Sequence, residues 1–360
     1  MSSNSYCILM AGGIGSRFWP MSRNHCPKQF LDILNIGKTL LQQTFERVQL
    51  HTAISNIYVV THHSYLDLVT QQIPQIPKEQ ILLEPFGRNT APCVAYGLFK
   101  INKKNPEANV VICPADHLIT NEQQYAQTIV KAVELAQKNP YLITMGIQPT
   151  HPNTGYGYIQ YIQKQDNEGV FKVKTFTEKP SIELAKTFVQ SGDFLWNSGI
   201  FIANVSTWLQ AFKQYLPEMH SSFESISHKL GTKLEAQLIN HVYQHCLNIS
   251  IDNGIMEHAN NVYVIPVDFG WSDLGTWNAL HEHLPQDGQK NTVIGNVMLY
   301  NTQNTLVCTN NKEKLIVVEG LQNMLVIEYD NAILICPKSS EQHIRHIVNE
   351  LKSLNKTDYI

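Results

Sequence analysis

Along the first 145 residues, short apolar runs alternate with stretches in which hydrophobic residues recur at helical spacing. Short apolar runs typical of buried strands occupy Tyr6–Met10, Ile57–Thr61, Ile81–Leu83, Val110–Cys113 and Leu142–Met145. Between them, Thr39–Leu50 and Glu122–Lys138 place apolar side chains on one face at helical spacing. Strands that alternate with amphipathic helices predict an α/β fold on a mixed, mostly parallel sheet covered on both faces. Ligands bind beyond the C-terminal ends of such strands, so motifs at those positions carry most weight.

The pattern loosens between residues 150 and 280. We interpret His151–Tyr158 and Gly192–Gly199 as loops among further strands and helices. The polar stretch His281–Asn291 follows, and its proline, aspartate and glycine predict a linker. The chain is therefore expected to divide into residues 1–288, a larger α/β domain, and residues 289–360, a smaller β-rich domain.

Short strand-like pieces dominate the last 72 residues of this division. They are Thr292–Tyr300, Thr305–Cys308, Leu315–Glu319, Met324–Tyr329 and Ala332–Cys336, separated by turns rich in Asn, Gly and Lys. A terminal helix is predicted from five apolar residues at spacings of three and four, namely Ile344, Ile347, Val348, Leu351 and Leu354.

Composition excludes several classes of protein. Hydrophobic residues make up 43% and charged residues 16%, which is enough for a large core and excludes wholesale disorder. The formal net charge of −3 argues against a protein that holds nucleic acid by bulk electrostatics. The seven cysteines are widely spaced without a CxxC pair, which argues against a disulfide framework and indicates the cytoplasm. No signal peptide and no membrane span are predicted.

A glycine-rich turn follows the first predicted strand. Gly12, Gly13 and Gly15 permit close backbone approach to a phosphate or a base, and Arg17 and Lys28 add two cations. This combination favours nucleotide binding more strongly than the glycines alone.

Two familiar phosphate-binding patterns do not fit this segment. A dinucleotide fingerprint needs a third glycine where Phe18 stands, and a P-loop ending in Gly37-Lys38-Thr39 needs a glycine where Asp32 stands. We therefore interpret Gly37-Lys38-Thr39 as a turn before a helix.

The segment Glu84–Pro92 also follows a predicted strand and leads into an apolar helix. Asn89 or Thr90 fits a helix N-cap, and the same loop, with Arg88, could equally offer polar groups to a ligand. The residues alone leave both readings open.

Two isolated aspartates follow different strands. Asp116 closes the run that ends at Cys113, and Asp273 lies after Val262–Val267 between glycine and tryptophan residues. Helix capping and a simple turn are the plainer interpretations. One or two carboxylates together with substrate phosphates also suit Mg²⁺, and the upstream cations favour that metal hypothesis.

Polar residues in the middle of the chain could bind sugar hydroxyls. Glu178 and Lys179 end the run Phe171–Phe176, Asn197 lies beside a glycine, and Gly155 lies in a loop. A surface ion pair, a buried amide and a hairpin are the structural alternatives. Paired donors and acceptors are nevertheless what hydroxyl groups require.

Taken together, these motifs resemble those of the mannose-1-phosphate guanylyltransferase family, within the nucleotidyl-sugar pyrophosphorylase superfamily. The resemblance covers essentially the whole length. The matching pieces are Met10–Ser22, Pro27–Phe30, Glu84–Pro92, Pro114–His117, Phe176–Pro180, Trp196–Gly199, Ser250–Asp252 with Met256–Glu257, and Trp271–Trp277. Asn253-Gly254 departs from the family pattern. Longer relatives carry a cupin-type isomerase domain, which a sequence that stops at Ile360 is not expected to include.

The resemblance implies a Rossmann-like nucleotidyltransferase domain with a small left-handed β-helix-like domain. It also implies a reaction in which GTP and α-D-mannose 1-phosphate give GDP-mannose and pyrophosphate with Mg²⁺. Neither nucleic acid nor a membrane is an expected partner, and a homodimer is one implied assembly.

Roles for individual residues are likewise implied by the resemblance. Arg17 would hold the β- and γ-phosphates, Lys28 the triphosphate and Lys179 the sugar phosphate. The remaining implied contacts are Gly12, Gly13, Gly15, Arg88, Asn89 and Thr90 for the nucleotide, Gly155, Glu178 and Asn197 for mannose, and Asp116 and Asp273 for Mg²⁺.

Two alternatives are kept. One is the same chemistry with another base or another sugar 1-phosphate, against which the guanylyl-type motifs argue. The other is a non-catalytic regulatory subunit that binds a nucleotide sugar. Such a protein is expected to have lost phosphate cations or metal carboxylates, and this sequence retains them.

Overall fold

The computed structural model describes residues 4–163 and 169–360. The strands within these residues are β1 (Ser5–Met10), β2 (Ile57–His62), β3 (Ile81–Glu84), β4 (Asn109–Pro114), β5 (Leu118–Ile119), β6 (Leu142–Ile147), β7 (Gly157–Tyr161), β8 (Phe171–Glu178), β9 (Phe194–Asn204), β10 (Val262–Val267), β11 (Trp271–Ser272), β12 (Thr292–Ile294), β13 (Val297–Tyr300), β14 (Leu306–Thr309), β15 (Ile316–Glu319), β16 (Met324–Tyr329) and β17 (Ala332–Pro337).

The α-helices of the same residues are α1 (Leu40–Val48), α2 (Leu66–Gln72), α3 (Thr90–Lys104), α4 (Glu122–Lys138), α5 (Ile182–Ser191), α6 (Val205–Tyr215), α7 (Pro217–Ile226), α8 (Glu235–His245), α9 (Trp277–His283) and α10 (Ile344–Ser353). Among the described residues, none of these helices has both the length and the apolar character needed to cross a membrane.

The described residues form two compact units. The sheet unit comprises those of Met1–Gly12, Thr44–Ala115 and Ile119–Trp271. The tail unit comprises Gly13–Gln43, Asp116–Leu118 and Ser272–Ile360. Each unit is assembled from three separate stretches of chain. The division at residues 288 and 289 remains a prediction about domains.

A nine-stranded sheet forms the centre of the sheet unit, in the order β3-β2-β1-β4-β9-β6-β10-β8-β7. The first four strands are parallel, with Met10 opposite Val60 and Pro114. β9 pairs antiparallel with both β4 and β6, and β8 pairs antiparallel with β7 and β10. The predicted mixed α/β sheet is confirmed. Because β1, β3 and β4 are parallel, Ala11, Pro85 and Ala115 leave the same edge of the sheet.

Apolar faces of the helices cover this sheet. In α4, Tyr125, Ile129, Ala132, Val133 and Ala136 are buried, as the helical spacing predicts. The helix begins at Glu122 because Asn121 Oδ1 accepts a hydrogen bond from the Gln124 N–H at 3.1 Å. In α3, Gly97 lets the helix approach β1, since a Cβ there would lie 2.5 Å from Ile8 Cδ1.

The segment interpreted as a loop over Gly192–Gly199 is a strand from Phe194 onwards, so that expectation was wrong. Phe194, Leu195 and Trp196 are buried and pair with β7, which outweighs the turn-forming residues Asn197 to Gly199. Those residues leave an irregularity instead: the pairing of β9 with β6 shifts register between Thr144 and Gly146, and Gly199 has φ +71°.

The first three residues of the predicted linker His281–Asn291 belong to a helix, so the linker prediction was wrong for them. α9 continues to His283 because Trp277, Leu280 and His281 form its buried face. The predicted strand Thr292–Tyr300 is likewise two strands. The break lies at Gly295, whose φ is +99° and whose Cβ would meet the Thr309 carbonyl oxygen at 2.5 Å.

The tail unit contains the β-rich segment. β12, β14 and β16 pair in parallel, as do β13 and β15, and β17 closes the first set antiparallel. Leu306, Leu325 and Ile327 share one apolar core with Phe18 and Trp277. The glycine-rich segment is thereby anchored on the β-rich one within a single unit.

Candidate active site

The predicted site residues fall into two groups, each inside one unit. The tail unit contains Gly13, Gly15, Arg17, Lys28, Asp116 and Asp273. The sheet unit contains Gly12, Arg88, Asn89, Thr90, Gly155, Glu178, Lys179 and Asn197.

The glycine-rich turn folds back onto Lys28. Gly15 has φ +65°, and a Cβ there would lie 2.6 Å from Lys28 Cβ, so two independent constraints require glycine. The turn then enters a short 3₁₀ helix, Ser16–Phe18, where the Phe18 N–H donates to the Gly15 carbonyl at 2.9 Å. Ser22 Oγ donates to the Ile14 carbonyl at 2.5 Å and fixes the far side of the turn.

Lys28 is the most enclosed cation of the tail-unit group, with 3% of its surface exposed. Its Nζ lies 2.9 Å from Asp116 Oδ2, 2.7 Å from the Asp273 carbonyl and 3.0 Å from the Leu274 carbonyl. An ammonium group has three N–H donors, and these three acceptors match them. One side chain therefore ties together the three stretches of chain that carry the predicted phosphate and metal residues.

Asp116 is held in its ionised form. Burial opposes ionisation, but the charges of Lys28 and His117 and the Lys28 hydrogen bond outweigh it, so the pKa of Asp116 lies below its ordinary value. Its side chain keeps 32% of its surface exposed, which leaves the carboxylate accessible. Asp116 lies in the turn after β4, and its carboxylate pairs with Lys28.

Asp273 lies in a tight loop. Its Oδ1 accepts a hydrogen bond from the Gly275 N–H at 2.8 Å, and the next residue, Leu274, has the unusual φ of +42°. Asp116 and Asp273 thus supply two carboxylates on loops joined by Lys28. Hard carboxylate oxygens of this number fit Mg²⁺, which takes its other ligands from water and phosphate.

Arg17 contributes a buried donor to this group of residues. Within the described residues, its Nε is inaccessible to solvent and has no hydrogen-bond partner. Unsatisfied buried donors are uncommon in folded proteins and suggest a missing acceptor.

The loop after β3 is fixed by its own side chains. Asn89 has φ +64°, and its Oδ1 accepts from the Thr90 N–H at 2.9 Å, so Asn89 is the N-cap of α3. Thr90 Oγ1 accepts from the Ile251 N–H at 2.9 Å, and Arg88 Nε donates to the Tyr243 carbonyl at 3.2 Å. Asn89 therefore caps α3, while Arg88 and Thr90 fasten the loop to Tyr243 and Ile251. Ligand binding by this loop stays a prediction.

The polar residues at the end of β8 and in β9 form one network in the sheet unit. Asn197 Nδ2 donates to Asp252 Oδ1 at 2.8 Å, while Asn197 Oδ1 accepts from the Gly199 N–H at 3.1 Å and from Thr144 Oγ1 at 3.2 Å. A Cβ on Gly157 would meet both the Glu178 carboxylate and, at 3.3 Å, Asn197 Cβ. Glu178 and Asn197 therefore flank the same glycine.

Lys179 is the exposed member of this network. Its Nζ forms an ion pair with Glu178, and 58% of its side-chain surface is exposed. Lys179 has φ +47°, an unusual conformation for a residue with a side chain. The N–H of Gly155 donates to Asn153 Oδ1 at 2.7 Å, so that amide already has an acceptor.

Two further carboxylates join the network, and sequence reasoning assigned them no role. Asp252 starts a π-helical turn, and burial together with the Glu178 charge raises its pKa to about 6. Glu257 Oε1 accepts from the Glu178 N–H at 3.3 Å. Their spacing of five residues suits a π-helical turn, a signal that helical and strand periodicities do not reveal.

Aromatic rings surround the same strands. Trp196, directly before Asn197, has His151 and Tyr156 edge-on to it, each with ring centroids 5.0 Å away, and Tyr156 contacts Trp271 at 5.3 Å. Within the described residues, Trp196 Nε1 is buried without a hydrogen-bond partner. These rings pack around Trp196 of β9, directly before Asn197.

Two family models match the sequence. Residues 6–290 match the nucleotidyl transferase family, and residues 295–351 match the mannose phosphate isomerase/GMP-like β-helix domain. The second match confirms the prediction that the β-rich segment resembles a β-helix.

Curated relatives and a solved structure match nearly the full chain. A putative mannose-1-phosphate guanylyltransferase of Vibrio cholerae is 35% identical over 98% of this chain and 75% of its own length. Mannose-1-phosphate guanylyltransferase 2 of Escherichia coli O157:H7 is 34% identical over 98% and 74%. A crystal structure described as mannose-1-phosphate geranyltransferase from Thermus thermophilus matches with a TM-score of 0.87 and 30% identity, over 97% of this chain and 99% of that one. The chain therefore belongs to the nucleotidyl transferase family, among the mannose-1-phosphate guanylyltransferases.

Proposed function

We propose that this chain transfers the guanylyl group of GTP to α-D-mannose 1-phosphate, with release of pyrophosphate. The observation that carries the proposal is the arrangement around Lys28. One ammonium holds the Asp116 carboxylate and the loop of Asp273, and it lies 5.6 Å from the ring of Phe18, the residue after Arg17. Cations and metal-type carboxylates combined in this way are typical of phosphoryl chemistry rather than of simple sugar binding.

The reaction needs no general base. A phosphate oxygen of the sugar phosphate attacks the α-phosphorus of GTP, forming one P–O bond as the bond to the β-phosphate oxygen breaks. The nucleophile is already an anion, so the protein's task is to neutralise and position two polyanions.

Each cation has a proposed task. Arg17 would hold the β- and γ-phosphates, which would provide the acceptor that its Nε lacks. Lys28 would exchange one of its carbonyl contacts for a phosphate oxygen. Lys179, exposed beside Glu178, would hold the phosphate of mannose 1-phosphate.

Asp116 and Asp273 would hold Mg²⁺. When bound at these two carboxylates, the metal would supply charge neutralisation for the substrate phosphates. The lowered pKa of Asp116 supports this assignment, because the carboxylate is ionised before any metal arrives.

The remaining predicted residues would bind the base and the sugar. Gly12 and Gly13 would lie against the base, Gly15 would shape the turn, and Arg88, Asn89 and Thr90 would contact the nucleotide from the neighbouring loop. Glu178, Asn197 and Gly155 would meet mannose hydroxyls, with the Gly155 amide first released from Asn153.

The assay that tests this function measures pyrophosphate release with Mg²⁺ and mannose 1-phosphate. GTP, ATP, UTP and dTTP are supplied in parallel. Release with GTP at a rate clearly above that with the other three is expected. Faster release with another triphosphate would instead support the other-base alternative. Nucleotide-sugar binding without any release would support a regulatory subunit.

A homodimer and a cytoplasmic location are also proposed. Met298 and Val317 pair across β13 and β15 and are about half exposed, and Ile333 and Ile335 on β17 are more exposed still. Such exposed apolar rows suit contact with a second copy. Light scattering of the purified protein tests whether it forms a dimer.

All seven cysteines are free thiols, which suits a reducing compartment such as the cytoplasm.

A further inference from the structure

The loop of Asp273 leads into α9, and the first turn of that helix is fastened to the segment that follows β17. Glu341 Oε2 accepts a hydrogen bond from the Asn278 N–H at 3.0 Å, and Asn278 Nδ2 donates to the Lys338 carbonyl at 3.0 Å. Lys338 and Glu341 both lie in the 3₁₀ segment Lys338–His343 of the tail unit. These hydrogen bonds join the end of the Asp273 loop to a segment in which the sequence predicts no site residue.

Thr276 gives Glu341 a second contact with the same turn. The Thr276 hydroxyl interacts with the Glu341 carboxylate and lowers its pKa, and Thr276 is also the N-cap of α9. Thr276 lies shortly after Asp273 and Leu274, whose carbonyls accept hydrogen bonds from Lys28. The Glu341 carboxylate therefore holds the chain just beyond the point where Lys28 holds it.

The residues around Glu341 also pack on the glycine-rich segment. Trp277 Nε1 donates to the Trp19 carbonyl at 3.2 Å, and the Trp277 ring lies 5.0 Å from that of Phe18. Ile344, the first residue of α10, belongs to the apolar core that contains Phe18 and Trp277. A packed core therefore fixes the position of the Glu341 carboxylate relative to the glycine-rich segment.

The charge of Arg17 reaches the same carboxylate. Burial raises the pKa of Glu341 above its ordinary value, and the contacts with Asn278 and Thr276 and the Arg17 charge oppose that rise. Within the described residues, Arg17 Nε has no hydrogen-bond partner. Glu341 thus offsets the Arg17 charge without occupying this donor, which is left for a phosphate oxygen.

We propose that Glu341 is a positioning residue, which acts through the Asn278 N–H to hold the loop of Asp273 in place beside Lys28. This inference rests on the proposed function, and it gives the β-rich segment a part in the reaction that is separate from contact with a second copy. Partners that orient a metal ligand contribute to metal affinity and activity without touching the substrate themselves. Removing this acceptor would free a loop that carries one carboxylate and two of the carbonyls that bind Lys28.

The test measures pyrophosphate release at increasing Mg²⁺ concentration for the wild type, Glu341→Ala and Glu341→Gln. Glu341→Ala removes the acceptor of the Asn278 N–H, whereas Glu341→Gln keeps an oxygen that can accept it. For Glu341→Ala, the Mg²⁺ concentration of half-maximal release should rise about 10-fold or more. Glu341→Gln should stay within about threefold of the wild type. KM for mannose 1-phosphate should change little in either variant, because Lys179 belongs to the sheet unit.

A purely structural role gives a different result. Loss of folded protein lowers the maximal rate and leaves the Mg²⁺ dependence and KM unchanged, so that outcome for Glu341→Ala overturns the inference. Equal shifts of the Mg²⁺ dependence in Glu341→Ala and Glu341→Gln also overturn it, because the glutamine keeps the acceptor. Glu350→Ala changes an exposed glutamate of α10 and is the matched control, which should behave as the wild type.

Amide hydrogen exchange without substrates separates this inference from the proposed function. Peptides that cover residues 271–278 should exchange about 10-fold faster or more in Glu341→Ala than in the wild type, while β14 and β16 keep their protection. That result supports the inference even if no guanylyl transfer is observed. Unchanged exchange of these peptides overturns it even if transfer is observed. A loss of protection that extends equally to β14 and β16 also overturns it, because it indicates unfolding of the unit rather than release of the loop.

Discussion

Lys28 contacts more of the predicted site residues of the tail unit than its place in the sequence indicates. A lysine in a glycine-rich segment suggests a direct phosphate contact, and that much was predicted. The structure adds that the same ammonium reaches Asp116 and two carbonyls of the Asp273 loop. These contacts join residues far apart in the sequence and depend on tertiary packing, so no local pattern could reveal them.

Replacing Lys28 by methionine should therefore affect both activity and stability. The change leaves Asp116 and two main-chain carbonyls without their donor. We expect kcat/KM for GTP to fall at least about 10²-fold, the scale of losing one electrostatic element. We expect the free energy of unfolding to fall by about 1–3 kcal/mol, less than for a fully buried pair because Asp116 is partly exposed.

Steady-state kinetics and urea unfolding measure these effects. Lys312→Met, an exposed lysine of the same unit, is the matched control and should leave both quantities unchanged. Turnover within about threefold of wild type would remove Lys28 from the phosphate site.

The raised pKa of Asp252 predicts a pH-dependent stability difference. Its folded pKa of about 6 exceeds the ordinary value of 3.8, so the folded state binds the proton more tightly than the unfolded chain. Ionised Asp252 consequently destabilises the fold above pH 6, and this cost shrinks as the pH falls from about 6 towards 3.8.

Asp252→Asn removes the charge and keeps an oxygen for Asn197. Its melting temperature should exceed that of the wild type by about 2 °C or more at about pH 7.5, and the difference should shrink towards about pH 5. Asp287→Asn is the opposite control. The hydrogen bonds of Asn291 and Gln289 lower the pKa of Asp287, so that variant should lose stability at neutral pH. A difference for Asp252→Asn that does not change with pH contradicts the assignment.

At the scale of elements, hydrophobic periodicity predicted the bounds of strands and helices correctly where their packing is regular. β10, β16 and α4 have the predicted bounds, and each buries most of its apolar residues. It failed in β9, where Asn197 to Gly199 resemble a turn. The polar interruption of that strand is the part that holds Asp252 and Thr144, so the local rule fails at a candidate site.

A substitution at Gly157, the first residue of β7, tests whether the close approach of that strand to β8 and β9 matters for sugar binding. A methyl group there would displace the Glu178 carboxylate and press on Asn197. For Gly157→Ala we expect KM for mannose 1-phosphate to rise about 10-fold or more, since misplacing a positioning group is costly. KM for GTP should change little.

Gly288→Ala provides the control, because a Cβ there meets no atom within 4 Å. If Gly157→Ala leaves both KM values unchanged, Glu178 does not bind the sugar. Equal weakening of both substrates would indicate general misfolding of the strand, which circular dichroism can check.

At the scale of the whole molecule, the division into two units predicts separate opening. Arg23 is buried in the tail unit and donates to the Pro20, Asp358 and Tyr329 carbonyls at 3.0, 3.3 and 3.1 Å. Removing it leaves three acceptors without their donor, at a cost of about 1–3 kcal/mol for each acceptor that stays buried.

Amide hydrogen exchange of the Arg23→Met variant should show in which strands stability is lost. We expect protection to fall in β14 and β16 and to persist in β1 and β4, because local opening follows cooperative units. Arg345→Met, an exposed arginine of α10, should leave protection unchanged. A uniform loss across all four strands would show that the described residues open as one unit.

The composition of the tail unit from three separate stretches also bears on when the protein becomes competent during synthesis. Asp116 reaches the ribosome exit long before Asp273, whose loop supplies two of the three acceptors for Lys28. All nine strands of the central sheet precede residue 268. Synthesis adds about 5–20 residues per second, so the sheet can begin to form before all predicted site residues of the tail unit have been made. A nascent chain should therefore acquire structure well before it acquires the arrangement around Lys28, and ribosome-bound intermediates that stop short of residue 273 should be folded in part but inactive.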